Sequence, residues 1–315
     1  MKLHHDIKLF TDTIRAASQQ LNIIPVYIEK DYWITLVLNQ LAKSSNAESV
    51  VFKGGTSLSK GYSLINRFSE DVDIAVSDVA TQTGNQVKAL IREVEKKMTK
   101  GLTEKLVEGI SSKGSRFRKS VFEYPAIDIR SNSNKLIVEV NSFANPYPFQ
   151  KLTIESFITS FLNKTGNAGY IQKYDLEPFQ LNVLDKRQTL LEKLVSLIRF
   201  SFDENTIQSI ASKIRHFYDL YYLVLDAECA EFIQTKAFAK QFLTILDHDR
   251  SIFEIPKGWS EKSVKESPLI TDFDSIWNQL KSTYNTELSA LAYTEIPYEK
   301  EVAEVFRKLI KTIKY

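Results

Sequence analysis

Two short stretches of the chain concentrate the residue types that chemistry needs. The first is Lys53-Gly54-Gly55-Thr56-Ser57-Leu58; the second, close behind it, is Arg67-Phe68-Ser69-Glu70-Asp71-Val72-Asp73-Ile74. Paired glycines let backbone N–H groups approach a ligand, and a helix that starts with Thr56 and Ser57 favours phosphate oxygens at its N-terminus. Asp71 and Asp73 are two apart, so on a strand they project to one side. Two such carboxylates 4 Å apart repel by roughly 4 kcal/mol at an effective dielectric of 20, a cost that a divalent cation removes. Mg²⁺ takes oxygen ligands from one or two carboxylates and from substrate phosphates. A glycine turn beside an aspartate pair therefore describes a site for a nucleoside triphosphate. The turn is neither a Walker loop nor a dinucleotide fingerprint, since neither pattern of glycines occurs.

Several elements must position these residues. Val50, Val51 and Phe52 form a strand that feeds the glycines, a short helix follows from Thr56, and Val72, Ile74 and Val76 alternate with the aspartates as a half-buried strand. Residues 9–43 read as helical, with Pro25 at a helix start. Residues 87–106 read as one helix and 110–120 as an exposed turn. Strands are expected at 126–130 and 136–141, joined by Ser131-Asn132-Ser133-Asn134. On the second, Glu139 and Asn141 face away from Leu136, Val138 and Val140. Asn145-Pro146-Tyr147-Pro148 ends the sheet pattern, because two prolines cannot donate to a ladder. This places a boundary between residues 1–148, carrying the sheet, and 149–315, which reads as helical. Leu190, Leu191, Leu194, Val195 and Ile198 make one helical stripe; Ile210, Ile214, Phe217, Tyr221 and Leu225 make another. A last helix is expected over 298–315. The class is α+β.

Composition bounds the reading without deciding it. The 315 residues hold 41 Lys+Arg against 39 Asp+Glu, a net charge of +2, which excludes disorder or coiled coil as whole-chain descriptions and supplies no strong field for a polyanion. One cysteine, Cys229, allows no intrachain disulfide and no cysteine-based zinc site, and His4, His5 and His216 lack metal-ligand spacing. Binding of nucleic acid would rest on local runs: Lys113, Arg116, Arg118 and Lys119 around Phe117, and Arg307, Lys308, Lys311 and Lys314 at the end. Residues 1–10 include Lys2, Asp6 and Lys8 where a leader needs an apolar run, and no stretch of about 18 apolar residues occurs. The expectation is a cytoplasmic protein with no membrane partner.

The order strand, Gly-Gly-Thr-Ser, short helix, Arg-Phe-Ser-Glu-Asp-Val-Asp resembles the nucleotidyltransferase fold of polymerase-β type. More narrowly it resembles the AbiEii/MenT-like toxin family, the nucleotidyltransferase half of abortive-infection toxin–antitoxin pairs. Ile28-Glu29-Lys30-Asp31-Tyr32-Trp33 is similar to the family's N-terminal helix, Leu191-Glu192-Lys193-Leu194 to its lysine motif, and Arg215-His216-Phe217-Tyr218-Asp219-Leu220 to its Arg-x-x-x-Asp motif. The resemblance covers about residues 26–225.

It implies a small mixed nucleotidyltransferase sheet flanked by helices, followed by a helical domain, with the site between the two. Asp71 and Asp73 would bind Mg²⁺ or Mn²⁺. A third acid on a later strand would complete the site; Glu139 is the candidate and Asp128 its competitor. Lys193, which composition alone reads as solvated, would neutralise the triphosphate. Asp219, which spacing alone pairs with Arg215 one turn away, would hold Lys193 or the nucleotide. Gly54, Gly55, Thr56 and Ser57 would cradle the NTP, with Lys60, Arg67 and Ser69 as lesser candidates. The implied activity is transfer of a nucleoside monophosphate from an NTP to an acceptor hydroxyl, the tRNA 3′ end by resemblance, with a cognate antitoxin as partner. Two alternatives keep parts of this site: a transferase acting on a protein or small molecule, and an interaction protein that binds NTP without turnover.

Overall fold

The computed structural model describes residues 1–69, 71–77, 79, 81–127 and 134–313. The chain forms two compact units. One is Met1–Ser63 with Phe68–Leu184; the other is Asp185–Tyr315 together with the short segment Leu64–Arg67.

The first unit is built on an eight-stranded mixed sheet: β1 (Val50–Lys53), β2 (Asp71–Val76), β3 (Thr103–Lys105), β4 (Ser112–Lys113), β5 (Phe117–Glu123), β6 (Lys135–Asn141), β7 (Phe149–Ile154) and β8 (Phe179–Leu184). Their order is β3-β5-β6-β2-β1-β8-β7, with β4 paired to β5. The β2–β6 and β1–β8 pairs are parallel and the others antiparallel. Val50, Val51 and Phe52 are wholly buried, as a central strand covered on both faces requires. Among the described residues, six α-helices accompany the sheet: α1 (Ile7–Leu21), α2 (Pro25–Ala42), α3 (Gly54–Lys60), α4 (Gly84–Met98), α5 (Phe157–Lys164) and α6 (Gly169–Lys173). Pro25 occupies the first turn of α2, where its missing N–H has no partner to lose.

The structure departs from the sequence reading in three places. Helix α4 stops at Met98, and Gly101 at φ +90° turns the chain into β3, so the expected helix over 87–106 is too long. The expected exposed turn at 110–120 contributes β4 and the start of β5, and it is β5 that pairs with β6. Asp128 and most of the strand expected at 126–130 lie outside the described residues. Finally, the sheet does not end at Pro148. Pro146 and Pro148 occupy the loop ahead of β7, where no ladder donor is required, and the sheet resumes with β7 and β8. The change of unit falls at Leu184/Asp185.

The second unit is helical: α7 (Lys186–Phe200), α8 (Thr206–Ala211), α9 (Arg215–Leu225), α10 (Ala227–Ile233), α11 (Lys236–Ile252), α12 (Pro268–Thr271), α13 (Phe273–Leu291) and α14 (Glu299–Thr312). The predicted stripe of α7 is fully buried, and Phe217 packs against Phe273, Trp277 and Phe306 with ring centroids 4.7 to 6.2 Å apart. The 64–67 segment is held here by backbone. Arg67 bridges to Ala292, the Tyr293 N–H donates to the Asn66 carbonyl at 3.0 Å, and the Tyr293 hydroxyl donates to the Ile65 carbonyl at 3.2 Å. Among the described residues no helix is long and apolar enough to cross a membrane.

Candidate active site

The register of four strands assembles a row of charge in the first unit. Pairing of β1 with β2 sets Lys53 opposite Asp73, pairing of β2 with β6 sets Asp73 opposite Glu139, and pairing of β5 with β6 sets Lys119 opposite Glu139. Directly opposed residues share a sheet face, so Lys53, Asp73, Glu139 and Lys119 form one line, and Asp71, two residues before Asp73, points to the same side. Lys119 Nζ is 3.8 Å from the Glu139 carboxylate, to which the Asn141 amide also donates at 3.4 Å. Burial, together with the carboxylates of Glu139 and Asp71, pushes Asp73 up to about 8, against the pull of Lys53 and Lys119. Burial raises Glu139 as well. The acids of this face are short of positive charge.

The glycine turn exists to let Asp73 in. Gly54 adopts φ +78°, a left-handed conformation that glycine accepts freely, and a Cβ built on it would lie 2.1 Å from Asp73 Oδ2. Below the turn, Thr56 Oγ1 donates to the Asp71 carbonyl at 2.5 Å and Ser57 Oγ donates to the Gly54 carbonyl at 2.8 Å, both from buried positions. The Thr56 hydroxyl ties α3 to β2 and the Ser57 hydroxyl closes the first turn of α3. Gly55 is buried behind them.

The donor set suits a hard divalent cation. It consists of carboxylate oxygens, and the space that Gly54 leaves free is already filled by one of them. Among the described residues no three acidic, histidine or cysteine side chains gather as one metal-holding group. Mg²⁺ requires no such cage, because it is commonly held by one or two carboxylates with water and substrate phosphate completing its shell. Asp71 and Asp73 fit that pattern. Glu139 stands in their row, with Lys119 and Asn141 as its partners.

A second charged group lies in the second unit. Asp219 on α9 is wholly buried and accepts two hydrogen bonds from Arg67, through Nε and Nη2, each at 2.7 Å; Lys193 Nζ on α7 is also 2.7 Å from its carboxylate. Burial alone would raise this carboxyl, but Arg67 and Lys193 overcome burial and hold it far below the ordinary range. The i,i+4 pair with Arg215 that spacing suggests gives way to these partners. Arg67, expected to meet nucleotide, is engaged by Asp219. Two cations against one carboxylate leave the triad a net positive charge, and burial with the nearby Lys193 keeps His216 neutral.

The remaining candidates sit deeper. Lys60 forms a buried ion pair with Asp31 at 2.5 Å, and Asp31 also accepts the Phe157 N–H at 2.7 Å, so this lysine is spent on the scaffold. Ser69 is buried. In the Ile28 to Trp33 motif, Glu29 accepts the Ile127 N–H at 2.8 Å, and Lys30 lies 5.5 Å from the Phe68 ring, on which Tyr27 stacks at 4.7 Å. The basic runs are largely answered by acids. Lys113 pairs with Glu104 at 2.7 Å, Arg118 with Glu95 at 2.6 Å, Arg307 with Asp274 at 2.6 Å and Lys308 with Glu304 at 2.7 Å. Lys314 lies outside the described residues. What the sequence reading missed is the placement of Lys53 and Lys119 in the row of acids. Only strand register places them beside the acids, although the position of Lys53 immediately before Gly54 was a signal that could have found it.

Three comparisons bear on this arrangement. The family model described as nucleotidyl transferase AbiEii toxin, type IV TA system, matches residues 36–308. No curated protein matches the chain. Among solved structures, the chain is similar to MenT4, a nucleotidyltransferase toxin from Mycobacterium tuberculosis H37Rv, at 14% identity and a TM-score of 0.35, with 94% of this chain and 98% of that chain covered. A superposition of that quality assigns no residue a role.

Proposed function

Because the chain belongs to the AbiEii family of nucleotidyl transferase toxins, we propose that it moves a nucleoside monophosphate from an NTP to the 3′ end of tRNA, in the cytoplasm, with Mg²⁺ or Mn²⁺ as cofactor and a cognate antitoxin as its restraint. The observation that carries the chemistry is the row of Asp73 and Glu139 with Asp71 beside them, in which the side chain that Gly54 lacks leaves room for the Asp73 carboxylate.

Asp71 and Asp73 would hold the metal, which when bound screens the triphosphate and lowers the pKa of a coordinated hydroxyl. The residues of the chain supply the rest. The carboxylate of Glu139 takes the proton of the attacking hydroxyl. The new bond joins that oxygen to the α-phosphorus, the bond from the α-phosphorus to its bridging oxygen breaks, and pyrophosphate leaves with the electron pair. For Lys193 the family resemblance implies a cation for triphosphate charge, a role suited to a compact point charge, and within its own unit Asp219 holds it in place. Gly54 lets the Asp73 carboxylate lie close against the turn.

The test uses purified protein, Mg²⁺, each labelled NTP in turn and total tRNA. Labelled tRNA is expected from the wild type and none above background from the Asp71→Ala, Asp73→Ala double variant; equal labelling by both would overturn the metal assignment. The pairing of the basic runs with acids favours a second reading, a protein or small-molecule acceptor. Pyrophosphate release that is indifferent to tRNA but stimulated by such an acceptor would select it.

A further inference from the structure

The row contains two lysines that the transfer of a nucleotidyl group does not by itself require. Asp71, Asp73 and Glu139 carry three negative charges when ionised; Lys53 and Lys119 stand at the two ends of the line and return two positive ones. For Lys119, stability is not a sufficient reason. A half-exposed pair such as Lys119 with Glu139, 3.8 Å apart and with side chains 29% and 23% exposed, contributes little to folding. Nor are they placed by chance of a mobile loop, since both are strand residues whose neighbours across the sheet are set by backbone pairing.

We propose that Lys53 and Lys119 are positioning residues that prevent the carboxylates from taking up a divalent cation alone, so that the cation enters with the nucleoside triphosphate as one complex. The proposal rests on the metal reading above. With the lysines present and all three acids ionised, the face offers a free ion a net charge of only minus one. The anionic phosphates of a bound nucleotide supply what the face withholds, and the lysines then have phosphate as well as carboxylate to answer. Without the lysines, the same face would present three uncompensated carboxylates and would fill with metal whether or not nucleotide were there. A lysine can do this because its charge is compact and its stem flexible.

Mn²⁺ serves as the probe, its binding to full-length metal-free protein followed by electron paramagnetic resonance with and without a non-hydrolysable ATP, GTP, CTP or UTP analogue. The wild type is expected to bind Mn²⁺ alone weakly and at least about tenfold more tightly with an analogue. The Lys53→Met, Lys119→Met double variant is expected to bind Mn²⁺ alone at least about tenfold more tightly than the wild type, with most of the dependence on analogue gone; Lys53→Arg and Lys119→Arg, which keep the charge, are expected to match the wild type. Each single Met variant shows part of the gain, so the test stands even if the double variant does not fold. No gain in any Met variant, with Mn²⁺ binding abolished by Asp73→Asn, overturns this proposal and leaves the metal site intact. Mn²⁺ binding that survives Asp73→Asn unchanged overturns the metal site itself.

Discussion

A carboxylate taken out of water persists as an anion only where cations and hydrogen bonds answer it, and Asp219 has both. Removing it would strand Arg67 and Lys193 with like charges close together. Asp219→Asn is therefore expected to lower the unfolding free energy by about 3 to 5 kcal/mol, measured by urea denaturation at pH 7. Its pH dependence follows from the direction of its shift. Folding lowers the carboxyl below the ordinary value of about 3.9, so the stabilisation is complete above that value and is lost as pH falls below it, when the unfolded chain binds the proton first. Urea midpoints taken from pH 6 down to pH 2.5 should fall steeply at the acid end for the wild type and less so for the Asn variant. Gly54→Ala is expected to abolish labelling of acceptor while costing more than about 1 kcal/mol of stability, because a methyl group meets both a left-handed backbone and the Asp73 carboxylate. Activity together with thermal denaturation checks it. That Asp71 and Asp73 share a strand face was legible in the sequence because strand period is local. Arg67 as the partner of Asp219 could not, since 152 residues separate them and a nearer arginine, Arg215, offered a local alternative.

At the scale of elements, the central sheet was legible wherever alternation was bounded by glycine or polar turns, as in β1, β2 and β6. It was lost where a boundary cue outweighed the pattern. The residues of β7 and β8 have strand character, yet Pro146 and Pro148 in the preceding loop suggested that the sheet had ended. The consequence is testable. β8 is the neighbour of β1 on the side away from β2, so a chain ending at Pro148 leaves β1, with its buried Val50, Val51 and Phe52, as a bare edge. That fragment is expected to aggregate or give an unfolded amide spectrum by NMR. Helix α4 teaches the reverse lesson: a run rich in Lys and Glu continued to read as helix beyond Met98, where Gly101 turns the backbone away.

For the whole molecule, the near-neutral net charge is matched by local pairing. Runs of Lys and Arg that look free in the sequence meet Glu95, Glu104 and Asp274 in the structure, partners on other elements that spacing does not reveal, while Glu304 meets Lys308 one turn away on α14, as spacing allows. A polyanion therefore finds few uncompensated cations among them. The slope of log K against log salt for tRNA binding is expected to be about −3 or shallower, the signature of few phosphates neutralised, measured by filter binding between 50 and 200 mM salt at about neutral pH.

The four residues 64–67 belong to a unit whose other members begin at Asp185, and that fact sets a timetable for synthesis. At about 5 to 20 residues per second, the ribosome reaches Asp219 some 8 to 30 s after Arg67 has been added. Throughout that interval the nascent chain carries a guanidinium destined for burial and no carboxylate to receive it. Chains released before Asp219 is added carry that charge without its partner, so the buried pair forms only after the second of its two residues has been made.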